Sequence, residues 1–279
     1  MTVLQKKQHN PVAHLTEADI EQIGIELDAI RQEVLDDRGA DDAAHIRRVI
    51  DTRGAADAAY IRRVIQAQRG LELGSRAILL ASLFPPAWLV GTAGLAVAKI
   101  IENMEVGHNV MHGQWDWMRD PKIHSTTWEW DNASPSEQWK HSHNELHHTY
   151  TNVIGKDNDL GYGIMRVDED QRWVPLYAAQ PVWNFVNACF FEYGIAAYDL
   201  ELGKNLATKE RRQDPDFRAR ARVTLKKIRN QMTKDYVIHP LLSGPSFLNT
   251  LAANATANLI RNLWTHSVIM CGMNGTPRS

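Results

Sequence analysis

The chain has 279 residues and a formal net charge of -2, because 31 lysine and arginine residues nearly balance 33 aspartate and glutamate residues. This balance gives no reason to expect nucleic-acid binding, and a hydrophobic content of 44% excludes a disordered chain. The two cysteines, Cys189 and Cys271, are far apart, which excludes a disulfide scaffold and a zinc site made of cysteines.

The N-terminal region is predicted to be helical, and its first ten residues lack the apolar stretch of a secretory signal. Thr16 to Asp19 is typical of a helix start, in a variant of the capping box. A tandem duplication follows, with RGADDAAHIRRVIDT at 38–52 and RGAADAAYIRRVIQA at 53–67. The two copies predict either one longer basic helix or a helix with one copy looped out. We therefore expect a cytosolic helical region over 1–75.

Three long segments with few charges, 77–98, 174–191 and 236–272, predict an integral membrane helical bundle, since a spanning helix needs about 20 apolar residues. Pro85-Pro86 breaks the first segment and predicts a hairpin, and Ser243-Gly244-Pro245 predicts a turn in the third. Basic residues before the first and third segments favour the cytoplasm for those regions. These patterns predict a multi-pass protein of the cell membrane; the alternative is a soluble metal-binding helical bundle.

Two histidine clusters have the spacing of metal ligands. His108 and His112, in GHNVMHGQW, are four residues apart and share one face of a helix. His143 and His147, in HSHNELHH, repeat that spacing, and His148 follows directly. Imidazole is a good ligand for iron, zinc and copper, so the two clusters together predict a metal site.

The residues around these histidines disfavour two common metal chemistries. A zincin needs Glu directly after the first His, but Asn144 stands there and Glu145 comes one position later. A carboxylate-bridged di-iron bundle needs two Glu-x-x-His motifs, and only Glu105 to His108 fits. The pattern therefore predicts a site dominated by histidine, at the ends of membrane helices.

The two clusters and their flanks resemble the membrane fatty acid desaturases, in particular the actinobacterial acyl-CoA or acyl-lipid desaturases. GHNVMHGQWDWM resembles the first histidine box of that family, and WKHSHNELHHTYTNVIGKDNDLGYG resembles the second, with its trailing Thr-Asn and Asp-x-Asp. The runs WEWD at 128–131, DQRW at 170–173 and RNLWTHSVIMCG near the end are similar too. The resemblance extends from His14 to Gly272, apart from one copy of the duplication.

The resemblance implies an enzyme that introduces a double bond into an acyl chain, using O2 and two electrons at a centre of two non-haem irons. It implies an all-α bundle with transmembrane hairpins and a cytosolic cap that carries the histidine boxes, so that the metal site faces the cytoplasm. The implied metal ligands are His108, His112, His143, His147 and His148, with His266 as a further candidate. His124, His141 and His239 match no ligand position, and surface or supporting roles are expected for them.

The partners implied are an acyl-CoA or acyl-lipid substrate, O2, membrane lipid and a separate electron donor of the ferredoxin or flavin reductase type. A separate donor is expected because the sequence has neither a Gly-x-Gly-x-x-Gly motif nor a cysteine set for an iron–sulfur cluster. The basic stretch from Arg211 to Arg229 is interpreted as a solvated face, with docking of an acidic carrier or an acyl-CoA headgroup as the alternative.

The sequence departs from the family after Cys271-Gly272, where family members continue to a third histidine box and this chain ends in MNGTPRS. The resemblance therefore implies a partial desaturase domain over 76–272, a non-family tail over 273–279, and an incomplete iron site that binds iron weakly and leaves the chain inactive alone. Two alternatives remain open at this point: a related fatty acid hydroxylase and an inactive membrane remnant.

Overall fold

The computed structural model describes residues 16–36, 39–151, 153, 156–157, 159, 161–163, 165–167, 171–206 and 208–273. Every regular element among these residues is helical, which confirms the prediction of an all-α fold. His14, Asp170 and the tail after residue 273 lie outside the described residues.

Three helices pass directly into π turns, and two of these π turns adjoin or contain the histidine clusters. The α-helices are α1 (Glu17–Asp36), α2 (Ala40–Leu79), α3 (Pro85–Ile100), α4 (His108–Met111), α5 (Ser136–Trp139), α6 (His148–Tyr150), α7 (Gln180–Cys189), α8 (Phe191–Asp199), α9 (Leu202–Asn205), α10 (Lys209–Gln213), α11 (Pro215–Thr233), α12 (His239–Leu242) and α13 (Phe247–Met273). The π turns are Ile101–Gly107, Lys140–His147 and Lys234–Ile238, and the 3-10 turns are Asp116–Met118, Gly161–Gly163, Pro175–Ala179 and Gly244–Ser246.

The chain divides into two units, Met1–Asp57 and Ala58–Ser279. In the first unit, the backbone N–H of Thr16 donates to Asp19 Oδ2 at 2.7 Å and the N–H of Asp19 donates to Thr16 Oγ1 at 3.2 Å, so the predicted capping box is present. Residues 40–67 of the duplication all lie within α2, as the prediction of one longer helix requires. The histidine clusters belong to the second unit.

The chain reverses direction between α2 and α3, as Pro85-Pro86 predicts, because Pro85 is the first residue of α3. Gln68 Nε2 donates to the carbonyl oxygen of Ala98 at 3.4 Å near the far end of the two arms. Close to the turn, a Cβ on Gly91 would lie 2.8 Å from Leu79 Cγ, so glycine allows the two helices to approach here. The second arm continues through the π turn Ile101–Gly107 to the first histidine cluster.

The predicted transmembrane hairpins are not found. Among the described residues, no helix combines the length and the apolar composition needed to cross a bilayer. The prediction relied on the low number of charges in each segment, and the 27-residue helix α13 shows why this misleads. Its inward face buries polar side chains, namely Thr250, Asn254, Asn258, Arg261, Asn262 and Thr265.

A network of ion pairs, with the buried Asp235 and Lys99 at its centre, joins α2, α3, the third π turn and the segment that carries Asp131. Asp235, whose side chain is fully buried, pairs with Lys99 at 2.8 Å and with Arg76 at 3.3 Å. Asp131 pairs with Lys99 at 3.5 Å and with Lys234 at 2.5 Å. Because burying a charge is costly unless a counter-charge lies close by, these residues form one interdependent structural unit. The sequence pattern did not predict it.

Two apolar clusters hold the histidine-bearing segments in place. Ile61 and Ile65, from the second copy of the duplication, pack with Val106, Val110 and Trp115 beneath the first histidine cluster. A second cluster beneath both histidine segments consists of Met111, Trp130, Trp139, Phe191 and Ile195. These contacts fix α4 and the π turn Lys140–His147 against the same interior.

Candidate metal centre

Both histidine clusters lie where a π turn meets an α-helix. The backbone N–H of His108 bonds to the carbonyl of Asn103, and that of His148 bonds to the carbonyl of His143, so each bond spans five residues. In a regular α-helix His143 and His148 would point about 140° apart around the axis. Here their ring centroids are 5.0 Å apart, because the π turn places more residues in each turn.

Five imidazole rings converge between the two segments. The Nε2 atoms of His108 and His112 lie 3.1 Å apart. The ring centroid of His143 lies 5.4 Å from that of His108 and 5.2 Å from that of His112. His148 lies 5.0 Å from His112, and His147 lies 5.1 Å from His143. The structure thus brings together five of the six predicted ligands.

The ligand atoms form two groups that share His143. One consists of His108, His112 and His143, and the other of His143, His147 and Asp159; within each group the ligand atoms lie within 4.8 Å of one another. Imidazole nitrogen and carboxylate oxygen together suit iron and other divalent first-row metals. The donor set therefore fits the iron that the sequence resemblance implies, with one carboxylate that the sequence did not assign.

Two carboxylates orient the second cluster. The Nδ1–H of His143 donates to Asp159 at 2.8 Å, and the Nδ1–H of His147 donates to Asp157 at 3.0 Å. A carboxylate accepts hydrogen bonds only, so the ring proton lies on Nδ1 and the Nε2 lone pair is free to bind a metal. The Asp-x-Asp motif is part of the sequence resemblance, but its spacing does not predict which rings its carboxylates contact.

The environment keeps the first cluster uncharged. Burial, followed by the neighbouring imidazoles, lowers the pKa of His108 to about 3 and that of His112 to about 4. Burial also lowers the pKa of His148. A histidine must be neutral to bind a metal, so these three rings are ready to bind at neutral pH.

A cavity of about 320 Å³ opens beside the imidazoles. Its walls combine the rings of His108, His112 and His143 with apolar side chains, among them Ile195 and Ile269. The size and the apolar walls suit part of a small hydrophobic ligand. We name this space the histidine cavity.

Asp199 is a buried carboxyl group in the wall of the histidine cavity that the sequence did not predict. Burial raises its pKa to about 7, although the hydroxyl groups of Ser134 and Ser142 both donate to it. Ser142 precedes His143 directly, so Asp199 anchors the π turn that carries the second histidine cluster.

The remaining histidines lie elsewhere in the described structure. His266 Nε2 is 2.9 Å from Asn184 Oδ1, its ring packs edge-on against Phe191, and it belongs to neither group of ligand atoms. His141 pairs with Glu145 on the surface at 2.6 Å. His124 lies 3.6 Å from Asp116.

The comparisons with known proteins point to one class of enzyme. Two curated proteins named NADPH-dependent stearoyl-CoA 9-desaturase, from Mycobacterium tuberculosis strains CDC 1551 and H37Rv, are each 48% identical over 264 residues, which cover 93% of this chain and 58% of theirs. The sn-1 linoleoyl-lipid 6-desaturase of Synechocystis sp. PCC 6803 is 30% identical over 144 residues, which cover 50% of this chain and 39% of that protein. The chain thus spans well under two thirds of the length of the curated relatives it matches. No family model and no solved structure matches the chain.

Proposed function

The chain is homologous to the fatty acid desaturases over 93% of its length, and from this premise we propose that it takes part in introducing a double bond into a fatty acyl chain. The convergence of five imidazoles from two separate segments carries the proposal. Converting an acyl chain requires O2, two electrons and two protons, and it gives the unsaturated chain and two waters.

We assign iron to this site, because the site offers histidine nitrogen and one carboxylate, and the homologous proteins are desaturases. Bound iron supplies the oxidising power needed to remove hydrogen from a methylene carbon, which has no acidic proton for a base to take. The chain's own residues prepare the site: burial keeps His108 and His112 neutral, while Asp157 and Asp159 fix the orientation of the rings of His147 and His143.

The histidine cavity is the place where we propose that the reacting part of the substrate lies. Met104, Val268 and Ile269 line it together with the imidazoles, and these apolar side chains suit methylene groups. We propose an acyl-CoA as the substrate, because two homologues are named for stearoyl-CoA. Their names also include NADPH dependence, so we propose that a separate reductase supplies the electrons.

We further propose that the chain works at the cell membrane, with the metal site on the cytoplasmic side. Helix α7 supports this placement, because it exposes a group of large apolar side chains, namely Val182, Trp183, Phe185, Val186 and, just beyond its end, Phe190. A surface of this kind, with an aromatic residue at its edge, is typical of contact with the lipid–water interface. Recovery of the expressed chain in the carbonate-extracted supernatant of its host would contradict this placement.

The experiment that tests the function is a reconstituted assay. The purified chain is supplied with ferrous iron, stearoyl-CoA, O2, NADPH, ferredoxin and ferredoxin reductase, and the acyl products are identified by mass spectrometry. The resemblance implies an inactive chain, but the structure brings five imidazoles and Asp159 together, so we instead expect activity. We expect a mono-unsaturated product that is absent when His143→Ala replaces the parent and present with His124→Ala. A hydroxylated product would point to the related hydroxylase, and the absence of any iron-dependent product would contradict the proposal.

A further inference from the structure

Two tryptophans connect a ligand imidazole to a second cavity. The indole of Trp139 stacks on the ring of His143, with centroids 4.5 Å apart and planes inclined by 25°. Trp130 contacts Trp139 in turn, at 5.3 Å and 52°. Both tryptophans are buried. Trp130 lines the histidine cavity on one side and a separate cavity of about 710 Å³ on the other, so the two indoles span the wall between the cavities.

The lining of the second cavity carries unpaired positive charge. Among its four cationic side chains, Arg62 pairs with Asp120 and Lys234 pairs with Asp131. The other two, Arg69 and Lys122, are exposed and form no ion pair with any residue that the structure describes.

The acidic groups of the cavity do not cancel this charge. Glu129 is engaged by Lys227 and Glu72 by Arg76. Glu102 is buried, and burial raises its pKa to about 7, which reduces its negative charge near neutral pH. We call this space the cationic cavity.

We propose that electrons for the metal site enter at the cationic cavity and pass through Trp130 and Trp139 to His143. This inference rests on the proposed function, which requires two electrons for each double bond. The group we assign to this cavity is a reduced flavin that carries a phosphate group, which the separate reductase of the proposed function would supply. Its phosphate matches Arg69 and Lys122, and the volume of the cavity lies within the range of small-molecule sites.

The step is an electron transfer in which no bond between heavy atoms forms or breaks. The reduced flavin would give up one electron at a time and release its protons to water, and iron held by the imidazoles would accept each electron by passing from the ferric to the ferrous state. The indoles are unchanged at the end. Electron tunnelling weakens steeply across gaps, so ring-to-ring contacts from Trp130 to His143 give a better path than the aliphatic side chains around them.

The test measures reduction rather than desaturation. The chain loaded with ferric iron is mixed anaerobically with photoreduced flavin mononucleotide, and flavin oxidation is followed by its absorbance, with the iron content of each sample measured in parallel. We expect Trp130→Leu and Trp139→Leu to slow the reaction at least about tenfold with the iron content unchanged. Trp88→Leu is the control, because Trp88 packs against a different apolar cluster, between α2, α3 and α13, so the rate of this variant should stay near that of the parent.

A second arm tests the cationic cavity without any metal. Binding of oxidised flavin mononucleotide to the metal-free chain is measured by quenching of flavin fluorescence. We expect the double variant Arg69→Glu/Lys122→Glu to weaken binding at least about tenfold. In a separate sample loaded with ferric iron, we expect the same variant to be reduced by the cationic methyl viologen radical as fast as the parent. If the double variant binds flavin mononucleotide as tightly as the parent, the proposed flavin site is wrong.

The outcomes separate the two proposals. If the chain retains iron and both tryptophan variants are reduced at the parental rate, the path is wrong and the proposed function stands. If the parent binds no iron, both proposals fail together. If Trp139→Leu loses iron because the indole supports His143, the rate of the Trp130 variant tests the electron path instead. Among the described ring pairs, Trp130 contacts Trp139 and no imidazole.

Discussion

His143 and Asp159 are joined by a hydrogen bond of 2.8 Å between the ring Nδ1 and a carboxylate oxygen. His147 makes the equivalent bond to Asp157 at 3.0 Å. These bonds determine which nitrogen of each ring faces the centre of the cluster, and so they determine whether the rings can bind a metal together.

We expect Asp157→Ala to weaken iron binding by about 10- to 100-fold, since His147 would lose the partner that fixes its ring. Asp159→Ala should weaken it at least as much, because Asp159 also belongs to one of the two groups of ligand atoms. Binding is measured by competition with a chelator of known affinity. Glu137→Gln, a change at an exposed carboxylate just before the π turn, is the control and should bind like the parent. Equal affinity of all four proteins would refute the orienting role.

A second prediction separates the converging histidines from His266. We expect His112→Ala to lower the amount of iron retained after gel filtration, because its Nε2 lies 3.1 Å from that of His108. We expect His266→Ala to retain as much iron as the parent, because the described contacts of its ring are with Asn184 and Phe191. A loss in the His266 variant equal to that in the His112 variant would make His266 a ligand.

The sequence predicted the histidine cluster better than the surroundings that make it work. Spacing alone placed His108 with His112 and His143 with His147, because residues four apart stay close in α- and π-helical turns alike. The π turn was not predictable from the same pattern, since it changes the hydrogen bonds of the backbone and leaves no mark in the order of the histidines. Its effect is clearest at His148, which an ideal α-helix would turn away from His143.

The low charge of the apolar segments predicts spanning helices that the described structure does not contain, and the reason is physical. Arg261 is the one Asp, Glu, Lys or Arg residue in the sequence of α13, so by its charges the segment looks like material that faces lipid, although uncharged polar residues such as Asn258 are frequent in it. In the structure these side chains are buried: Asn258 Nδ2 donates to Asp235 at 3.1 Å and Arg261 pairs with Glu192 at 2.5 Å. A polar side chain can be buried only if a hydrogen-bonding or charged partner meets it there. These partners come from distant parts of the chain, and a single sequence does not show which residues they are.

The buried ion pairs lead to a prediction on stability. Asp235→Ala would leave Lys99 and Arg76 without their shared counter-charge, so we expect it to lower the free energy of unfolding by about 3–5 kcal/mol. Asp120→Ala, which breaks the exposed pair with Arg62, should stay close to the parent. Urea denaturation followed by circular dichroism measures both. Comparable losses in the two variants would show that burial of the network is unimportant.

A pH dependence follows from the buried carboxyl group of Asp199. Its pKa is raised to about 7 by burial, so the folded chain holds a proton that the unfolded chain releases at lower pH. The stabilisation is therefore complete below about pH 4 and is lost as pH rises through 7, by up to about 1.4 kcal/mol for each pH unit. Glu102, also raised to about 7 by burial, adds to the same trend.

This trend is tested on the metal-free chain, in a chelating buffer, from urea unfolding curves between pH 5 and 8. We expect the parent to lose stability with rising pH and Asp199→Asn to lose less, because the amide keeps hydrogen-bonding groups for Ser134 and Ser142 but has no proton to release. Parallel curves for the parent and the variant would show that Asp199 ionises as in the unfolded chain.

Gly107 allows the first π turn to pack directly before His108. A Cβ at this position would lie 2.9 Å from the carbonyl oxygen of Glu102 and 3.1 Å from Trp130 Cβ, and both neighbours are held in the interior. We expect Gly107→Ala to shift α4 outward, to cost about 1–3 kcal/mol of stability and to weaken iron binding, since His108 would leave the cluster. The matched control is Gly70→Ala in α2, where nothing lies within 4 Å of the added Cβ and the higher helix propensity of alanine should slightly stabilise the chain. Because the two substitutions are chemically identical, any loss confined to Gly107→Ala measures the close packing at the start of the metal centre, whereas equal behaviour of the two variants would show that the π turn can move without disturbing the histidines.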